Sequence, residues 1–237
     1  MTQTLSIVIP TYNRLFYLKK TLEDLKCQLN DNIEIIVVVN KSKDKTKEYS
    51  KKFLKNKYYK NIIKFVFQKK YVGAIENKFY AYSLAKNDFI CILADDDKIE
   101  NGFIARILEL INKHPKIGIF IPKKKFPQKK EKFSYEIYPK GKKGIYAAYK
   151  NVGSLQGTVY RRKNLKKKYF TKLKITNLYP QLYYSVKVAE KSDVAIVTYD
   201  HQVIMARADK SLQKKFHFLY EQDRGADHGI GMKIDAV

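Results

Sequence analysis

The chain has 237 residues, 45% of them hydrophobic, enough to bury a core and fold as one globular unit with two lobes, which excludes a disordered polymer. Its two cysteines, Cys27 and Cys91, are too few for a disulfide framework or a structural zinc site and read as buried thiols. The formal net charge of +25 favours an anionic partner such as nucleic acid, lipid headgroups or a phosphorylated substrate, with a solvated lysine-rich surface as the alternative.

In chain order, Leu5 to Pro10 is an apolar run that predicts a short buried strand, and Pro10-Thr11-Tyr12-Asn13-Arg14 supplies a break and a capping-type turn before a helix. In that helix Leu15, Leu18, Leu22, Leu25 and Leu29 recur at spacings of three and four, so one stripe faces a core while Lys19, Lys20, Glu23 and Asp24 face away. Ile33 to Val39 is almost continuously β-branched, the pattern of a central parallel strand covered on both faces. A polar turn, Asn40 to Lys43, leads to a second helix from about Asp44. Ile62 to Gln68 predicts a third strand, Ala74 to Ala85 a third helix after a turn at Gly73, and Phe89 to Ala94 a fourth strand. Strands alternating with helices predict an α/β fold with a mostly parallel sheet, whose ligands bind at the carboxyl ends of the strands. Asn101 to Asn112 predicts a fourth helix with Phe103, Ile104, Ile107, Leu108 and Ile111 on one face, and Ile117 to Ile121 a fifth strand.

Between Lys113 and Lys174 twenty Lys or Arg residues meet only Glu131 and Glu136, and after Pro122 the periodicity gives way to a Lys-, Pro- and Tyr-rich stretch. Regularity resumes with Gly157 to Tyr160, a helix near Tyr179 to Ala189, and strands at Val194 to Thr198 and Val203 to Ala206, an α+β pattern. Residues 1–112 and 113–210 are expected to be the two halves of one domain, and 211–237 a tail, truncated or appended, that turns glycine-rich and lysine-poor from Glu221. Met1 to Pro10 shows no basic region followed by a long apolar run, and no stretch approaches the ~20 apolar residues of a membrane span, so a cytoplasmic protein is expected.

Asp95-Asp96-Asp97 follows the fourth strand directly. Three carboxylates at one strand end, with Lys98 as the adjacent cation, repel one another and ask for a hard divalent ion such as Mg²⁺ or Mn²⁺, which takes one or two carboxylates plus the phosphate oxygens of a substrate. A solvated acidic turn, or a cluster favoured by the dipole of the next helix, is the alternative.

Four segments carry a family resemblance. Ser6-Ile7-Val8-Ile9-Pro10-Thr11-Tyr12-Asn13-Arg14 resembles the opening strand and loop of the family 2 glycosyltransferases, and Ile35 to Thr46 resembles that family's second strand and its Asp-Asn/Asp-Gly-Ser-x-Asp-x-Thr turn. Gly73 with Asn77 resembles its Asn-x-Gly-x-x-x-Asn segment, and Leu93-Ala94-Asp95-Asp96-Asp97 its acidic metal motif. The resemblance spans about Ser6 to Ser211 and implies the GT-A fold of nucleotide-diphospho-sugar transferases. It implies an inverting, metal-dependent transfer of a hexosyl or deoxyhexosyl group from a nucleotide-diphosphate donor, UDP first among the nucleotides, to a glycan or glycolipid acceptor. The setting it implies is bacterial surface polysaccharide or lipooligosaccharide synthesis. Residues 1–112 would then bind the nucleotide sugar and 113–210 the acceptor.

The resemblance also distributes roles. Pro10, Thr11 and Tyr12 line the base and ribose pocket, joined by Asn40 and Ser42, with Arg14, Gly73 and Asn77 in the same donor site. Asp95 and Asp96 face the ribose and diphosphate. Asp97, with Asp95, is the expected ligand of Mn²⁺ or Mg²⁺, which stabilises the charge growing on the leaving diphosphate.

Departures from the family pattern limit this assignment. Val39 stands where many members have an aspartate that reads the nucleobase, leaving Asn40 as a partial substitute, and Tyr71 replaces the first Asn of the glycine segment. The Glu-Asp motif that supplies the base has no match. The aligned region reads Asn177-Leu178-Tyr179-Pro180-Gln181-Leu182, which resembles the branch that builds O-antigen and capsule chains, and no Asp or Glu occurs from Ser154 to Ala189. Asp193, Asp200 and Asp209 are the remaining candidates for a base. Arg207 to Ser211 resembles a late arginine motif that often includes a metal-binding His, and His201 nearby is a candidate ligand, with a structural role as the alternative.

Lys123 to Lys143 and Arg161 to Lys174, interleaved with Phe126, Phe133, Tyr135, Tyr138, Tyr169 and Phe170, suit an anionic membrane surface presenting a lipid-linked glycan, so attachment to the inner face of the cell membrane is expected. A charged surface over core aromatics is the alternative. Two other functions fit less well. A sugar-nucleotide nucleotidyltransferase usually opens with a glycine- and arginine-rich loop, and Pro10 to Arg14 has no glycine. A nucleic-acid-binding protein would explain the charge, but no such motif occurs and a bare triple aspartate repels phosphate, so no nucleic acid is expected.

Overall fold

The structure, a computed structural model, describes residues 2–123, 132–153, 157–166, 169, 180–200 and 203–205. Alternation of side chains across β1 (Leu5–Thr11) sends Leu5, Ile7 and Ile9 into one core and Val8 into another. In β2 (Ile33–Val39) the odd positions join the first core, and Ile36 and Val38 the second. This two-sided burial is what the continuous β-branched run predicts.

Between these strands α1 (Leu15–Lys26) buries Leu18, Leu22 and Leu25. The expected second helix is two, α2 (Thr46–Phe53) and α3 (Lys57–Ile62), because the Asn56 side chain accepts from the Tyr58 N–H and starts a new helix. Then come β3 (Ile63–Phe67), α4 (Ala74–Leu84), β4 (Phe89–Ile92), β5 (Asp97–Ile99), α5 (Phe103–Lys113) and β6 (Ile119–Pro122). The second half contributes β7 (Ser134–Tyr138), α6 (Lys142–Asn151), β8 (Val159–Arg161), α7 (Pro180–Ala189), β9 (Val194–Thr198) and β10 (Val203–Met205).

One eight-stranded sheet runs in the order β3-β2-β1-β4-β8-β6-β9-β7. β1 lies parallel to β2 and β4, β2 to β3, and β6 to β9, whereas β8 is antiparallel to both β4 and β6 and β7 is an antiparallel edge. Six strands therefore point the same way, and their carboxyl ends share one edge. α1 and α5, with residues of α2 and α3, pack one face, and α4, α6 and α7 the other. Helix α6, in a stretch whose sequence predicts no regular element, packs through Gly144 against β9 and the turn that precedes the helix: a Cβ there would stand 3.3 Å from Val194 Cγ2 and 2.8 Å from the Pro139 carbonyl oxygen.

Several expectations are corrected. Cys91 is a buried thiol, but Cys27 is exposed because α1 ends just before it. The acidic run does not simply close β4. Asp97 opens β5, which pairs antiparallel with β10 as a separate two-stranded sheet. Phe133 and Tyr135 do not form a lipid-facing surface, since both pack against the first core, and Tyr169 is buried in the second. Phe126, Phe170, His201, Asp209, the Arg207 to Ser211 segment and the 211–237 tail lie outside the described residues. Among the described residues no helix is long and apolar enough to cross a membrane.

Candidate functional site

A cleft of about 430 Å³ opens at the carboxyl edge of the parallel strands. Pro10, Thr11 and Tyr12 enter it from the end of β1, Arg14 from the turn before α1, Asn40 from the end of β2, and Ile92 to Asp95 from the end of β4. Tyr71, Ala74, Asn77 and Lys78 come from the turn and start of α4, and Gln181 from the first turn of α7.

Local chemistry shapes each loop. Asn13 sits at φ 52°, a left-handed conformation that asparagine tolerates better than most residues. There its side-chain oxygen accepts from the Lys43 N–H at 2.6 Å and its own N–H donates to Ser42 Oγ at 3.0 Å, so the first two loops are stitched together. Asp44 accepts from the Leu15 N–H, at the start of α1, and from the N–H and hydroxyl of Thr46, at the start of α2. The Asp-x-Thr element of the sequence thus fixes two helix starts. Ser42 does not line the cleft; its hydroxyl is part of this stitching.

Asn40 does line it, yet its amide donates to the Val72 carbonyl at 2.7 Å and accepts from the Val72 N–H at 3.1 Å, so its polar atoms hold the α4 turn. Val39, at the neighbouring position, is buried in the core. Asn77 ties α4 to the end of β2 through the Val38 carbonyl. Gly73 caps α4 with φ −61°, and a Cβ there would meet only the Glu76 carboxylate at 4.0 Å, so neither backbone strain nor crowding requires a glycine.

The acidic run divides into two parts. Thr11 Oγ1 donates to Asp95 Oδ2 at 2.6 Å, and Arg14 donates through Nη1 to Asp95 at 2.9 Å and through Nη2 to Asp96 at 2.6 Å. The cation beside these carboxylates is therefore Arg14, eighty-one residues away from Asp95 in sequence, rather than Lys98. Burial pushes the Asp95 carboxyl up to about 6, against the opposing pull of Arg14 and Thr11. Desolvation wins because Asp95 is only 4% exposed. Burial also works against the charge of Arg14, but Asp95 and Asp96 together raise its pKa.

Asp96 is not among the residues that line the cleft, and neither is Asp97, the expected principal metal ligand. It is 2% exposed, and its Oδ2 accepts from the Ala94 N–H at 2.7 Å while its own N–H donates to the Ala94 carbonyl. Its carboxylate closes the turn that aims Asp95 and Asp96. Among the described residues no group of three or more His, Cys, Asp or Glu side chains converges on one point. Beneath the turn, Thr21 of α1 is buried with Oγ1 2.9 Å from both the Asp95 and Asp97 carbonyls, and Asp24 accepts from the Ile99 N–H at 2.9 Å. Asp24, expected to face away, instead anchors β5.

The base candidates fare differently. Asp193 precedes β9 and accepts from the Lys140 N–H, at the amino edge of the sheet and away from the cleft. Asp200 follows β9 at the correct edge but is held bidentate by Arg106 of α5, at 3.1 and 2.6 Å. Residues the sequence reading did not assign to the site are Tyr71, Lys78 and Gln181. Tyr71 packs edge-on to Tyr12 at 5.1 Å between ring centroids, and Lys78 is half-buried, its pKa lowered by desolvation. Position gave a signal for each: Tyr71 stands at the first Asn position of the glycine segment, Lys78 directly follows its last position, Asn77, and Gln181 lies in the first turn of α7.

An open, mostly parallel sheet with loop-borne carboxylates at its carboxyl edge is the GT-A class of fold. Solved structures agree: S. aureus TarS 1–349 in complex with UDP-GlcNAc superposes with a TM-score of 0.63 at 19% identity, covering 84% of this chain and 57% of that one. The profile described as glycosyl transferase family 2 matches residues 6–178, and the chain belongs to that family. Among curated relatives, glycosyltransferase GlyG of Streptococcus pneumoniae serotype 4 is 30% identical over 111 residues, 47% of this chain and 36% of the relative. The GalNAc(5)-diNAcBac-PP-undecaprenol β-1,3-glucosyltransferase of Campylobacter jejuni is 29% identical over 109 residues, 46% of this chain and 34% of the relative. The chain thus spans little more than a third of the length of these relatives.

Proposed function

We propose that the cleft binds a nucleotide-diphosphate sugar, a UDP-sugar foremost, and that the protein transfers the sugar with inversion to a hydroxyl of a bacterial surface glycan or glycolipid. The observation that carries this reading is the convergence of the Pro10-Thr11-Tyr12 loop with Asp95 and Asp96 at one sheet edge, joined by the Thr11 and Arg14 hydrogen bonds. The UDP-GlcNAc of the TarS structure and the undecaprenol-linked acceptor in the name of the C. jejuni relative support the donor and acceptor classes.

The chain's own groups divide the work. Tyr12 and Tyr71 form an aromatic wall against which a nucleobase can stack, and Lys78 offers a half-buried cation to a diphosphate. Thr11 and Arg14 fix the orientation of Asp95. A hard divalent cation such as Mn²⁺ or Mg²⁺ takes oxygen donors, and Asp95 and Asp96 are the two carboxylates at this edge; the Arg14 guanidinium holds both, so an ion would enter in its place. Asp95 and Asp96 would hold the ion, which would supply Lewis-acid stabilisation of the departing diphosphate. Gln181 occupies the helix start where the family resemblance expects a carboxylate, and its amide can orient an acceptor hydroxyl without taking its proton.

A thermal-shift panel of UDP-, GDP-, dTDP- and CDP-sugars with Mn²⁺ tests the proposal. One donor class is expected to raise Tm in proportion to the logarithm of its concentration, and Asp95→Asn and Asp96→Asn to remove the response. Absence of a shift with every donor would overturn it.

A further inference from the structure

We propose that the outer face of α6 docks the protein on an anionic lipid bilayer. The inner face of this helix is committed: Gly144, Ala147 and Ala148 are buried beneath it. Its outer face carries Lys142, Lys143, Tyr146, Tyr149 and Lys150, all exposed, with each tyrosine 63% exposed. Spacings of three and four place Lys142, Tyr146, Tyr149 and Lys150 on one stripe. No Asp or Glu occurs in the helix.

This composition matches the boundary between lipid and water. A phenol ring there sits among the acyl-chain ends with its hydroxyl in the headgroup layer, and lysines reach anionic phosphates. The Lys150 ammonium lies 5.5 Å from the Tyr146 ring centroid and 3.5 Å from its hydroxyl, so cation and phenol end at one level. The adjacent helix carries cations of its own: Lys187 and Lys191 of the α7 region line, with Lys166, a hollow of about 180 Å³, and Glu190 pairs with Lys187. A second copy of the chain is disfavoured on this face by like charge. A convex helix with no arginine offers nucleic acid neither a groove nor a bidentate donor.

The face is separate from the cleft, since none of its residues lines it. The Gly141 N–H donates to the Ala189 carbonyl, so α6 starts beside the end of α7 that lies about 12 Å from Gln181 at ~1.5 Å rise per residue. Docking can therefore be tested apart from sugar transfer.

The experiment is flotation of the full chain with phosphatidylcholine vesicles, with and without phosphatidylglycerol. Wild type is expected to float with the anionic vesicles only. Combined Lys142→Glu, Lys143→Glu and Lys150→Glu should weaken vesicle affinity by at least roughly tenfold, and Tyr146→Ser with Tyr149→Ser should remove the part of binding that survives high salt. Lys51→Glu, Lys52→Glu and Lys55→Glu, on the opposite face of the sheet, should change affinity little. Circular dichroism and the donor-induced thermal shift should be unchanged in the α6 variants, which keeps failure of docking distinct from failure of the donor-binding reading. The proposal is overturned by wild type that does not float, by α2-region variants that lose as much affinity as the α6 set, or by RNA that binds the α6 face more tightly than the vesicles do.

Discussion

At Asp95 two opposing influences meet. The surroundings strip the carboxyl of water, while Arg14 and Thr11 favour its charge, and burial prevails to place its pKa at about 6. A folded value above the unfolded one, about 3.9, means that this group's contribution to stability is present below the unfolded value and is lost as pH rises through about 6. Measured by urea unfolding, wild type is therefore expected to lose on the order of 2–3 kcal/mol relative to Asp95→Asn between about pH 4 and pH 7. On the proposed reading, binding of Mn²⁺ and donor would need the ionised carboxylate and is expected to change in the other direction, strengthening as pH rises through about 6. A flat difference between the two proteins across that range would show that Asp95 is not buried as described.

At the scale of elements, α1 is the splint of the acidic turn. Its Leu18, Leu22 and Leu25 fix it to the core, and from that fixed helix Thr21 reaches the Asp95 and Asp97 carbonyls while Asp24 holds the Ile99 N–H. Thr21→Val keeps the shape and removes the hydroxyl. It is expected to cost about 1–2 kcal/mol in urea unfolding and to weaken donor binding several-fold, with Thr21→Ser restoring both. Recovery in Ser separates a positioning hydroxyl from a methyl group that only fills space. Periodicity displayed the leucine stripe, but it could not display this function, because hydrogen bonds to a turn more than seventy residues away leave no repeat in the sequence.

For the molecule as a whole, one sheet carries strands from both halves, with β8 seated between β4 and β6. Cutting near residue 112 would leave β4 without its antiparallel neighbour and β6, β8, β9 and β7 without the sheet they extend. Calorimetric unfolding is expected to show a single transition, with calorimetric and van't Hoff enthalpies in agreement, and separately expressed residues 1–112 and 113–210 to lack cooperative unfolding. Two resolved transitions would show that the halves are independent.

The sequence by itself determined the parallel strands β1 to β4, the helices α1, α4 and α5, and the sheet edge at which the cleft opens. These follow from runs of apolar residues whose period is set by backbone geometry, and local patterns suffice to reveal them. The loop motifs were legible for the same reason: Pro10 to Arg14, Asp44 with Thr46, and Asp95 to Asp97 each sit where a strand or helix begins or ends. Only the tertiary structure decided what those groups do to one another. It supplied Arg14 as the cation of Asp95 and Asp96, turned Asp97 into the closing bond of its own turn, engaged Asn40 with Val72, and set Asp193 at the far edge of the sheet. It also drew β7 and α6 out of a lysine-rich stretch with no apolar run of its own, since an edge strand and a helix packed through glycine and alanine need little hydrophobic sequence once a neighbouring strand and core are in place.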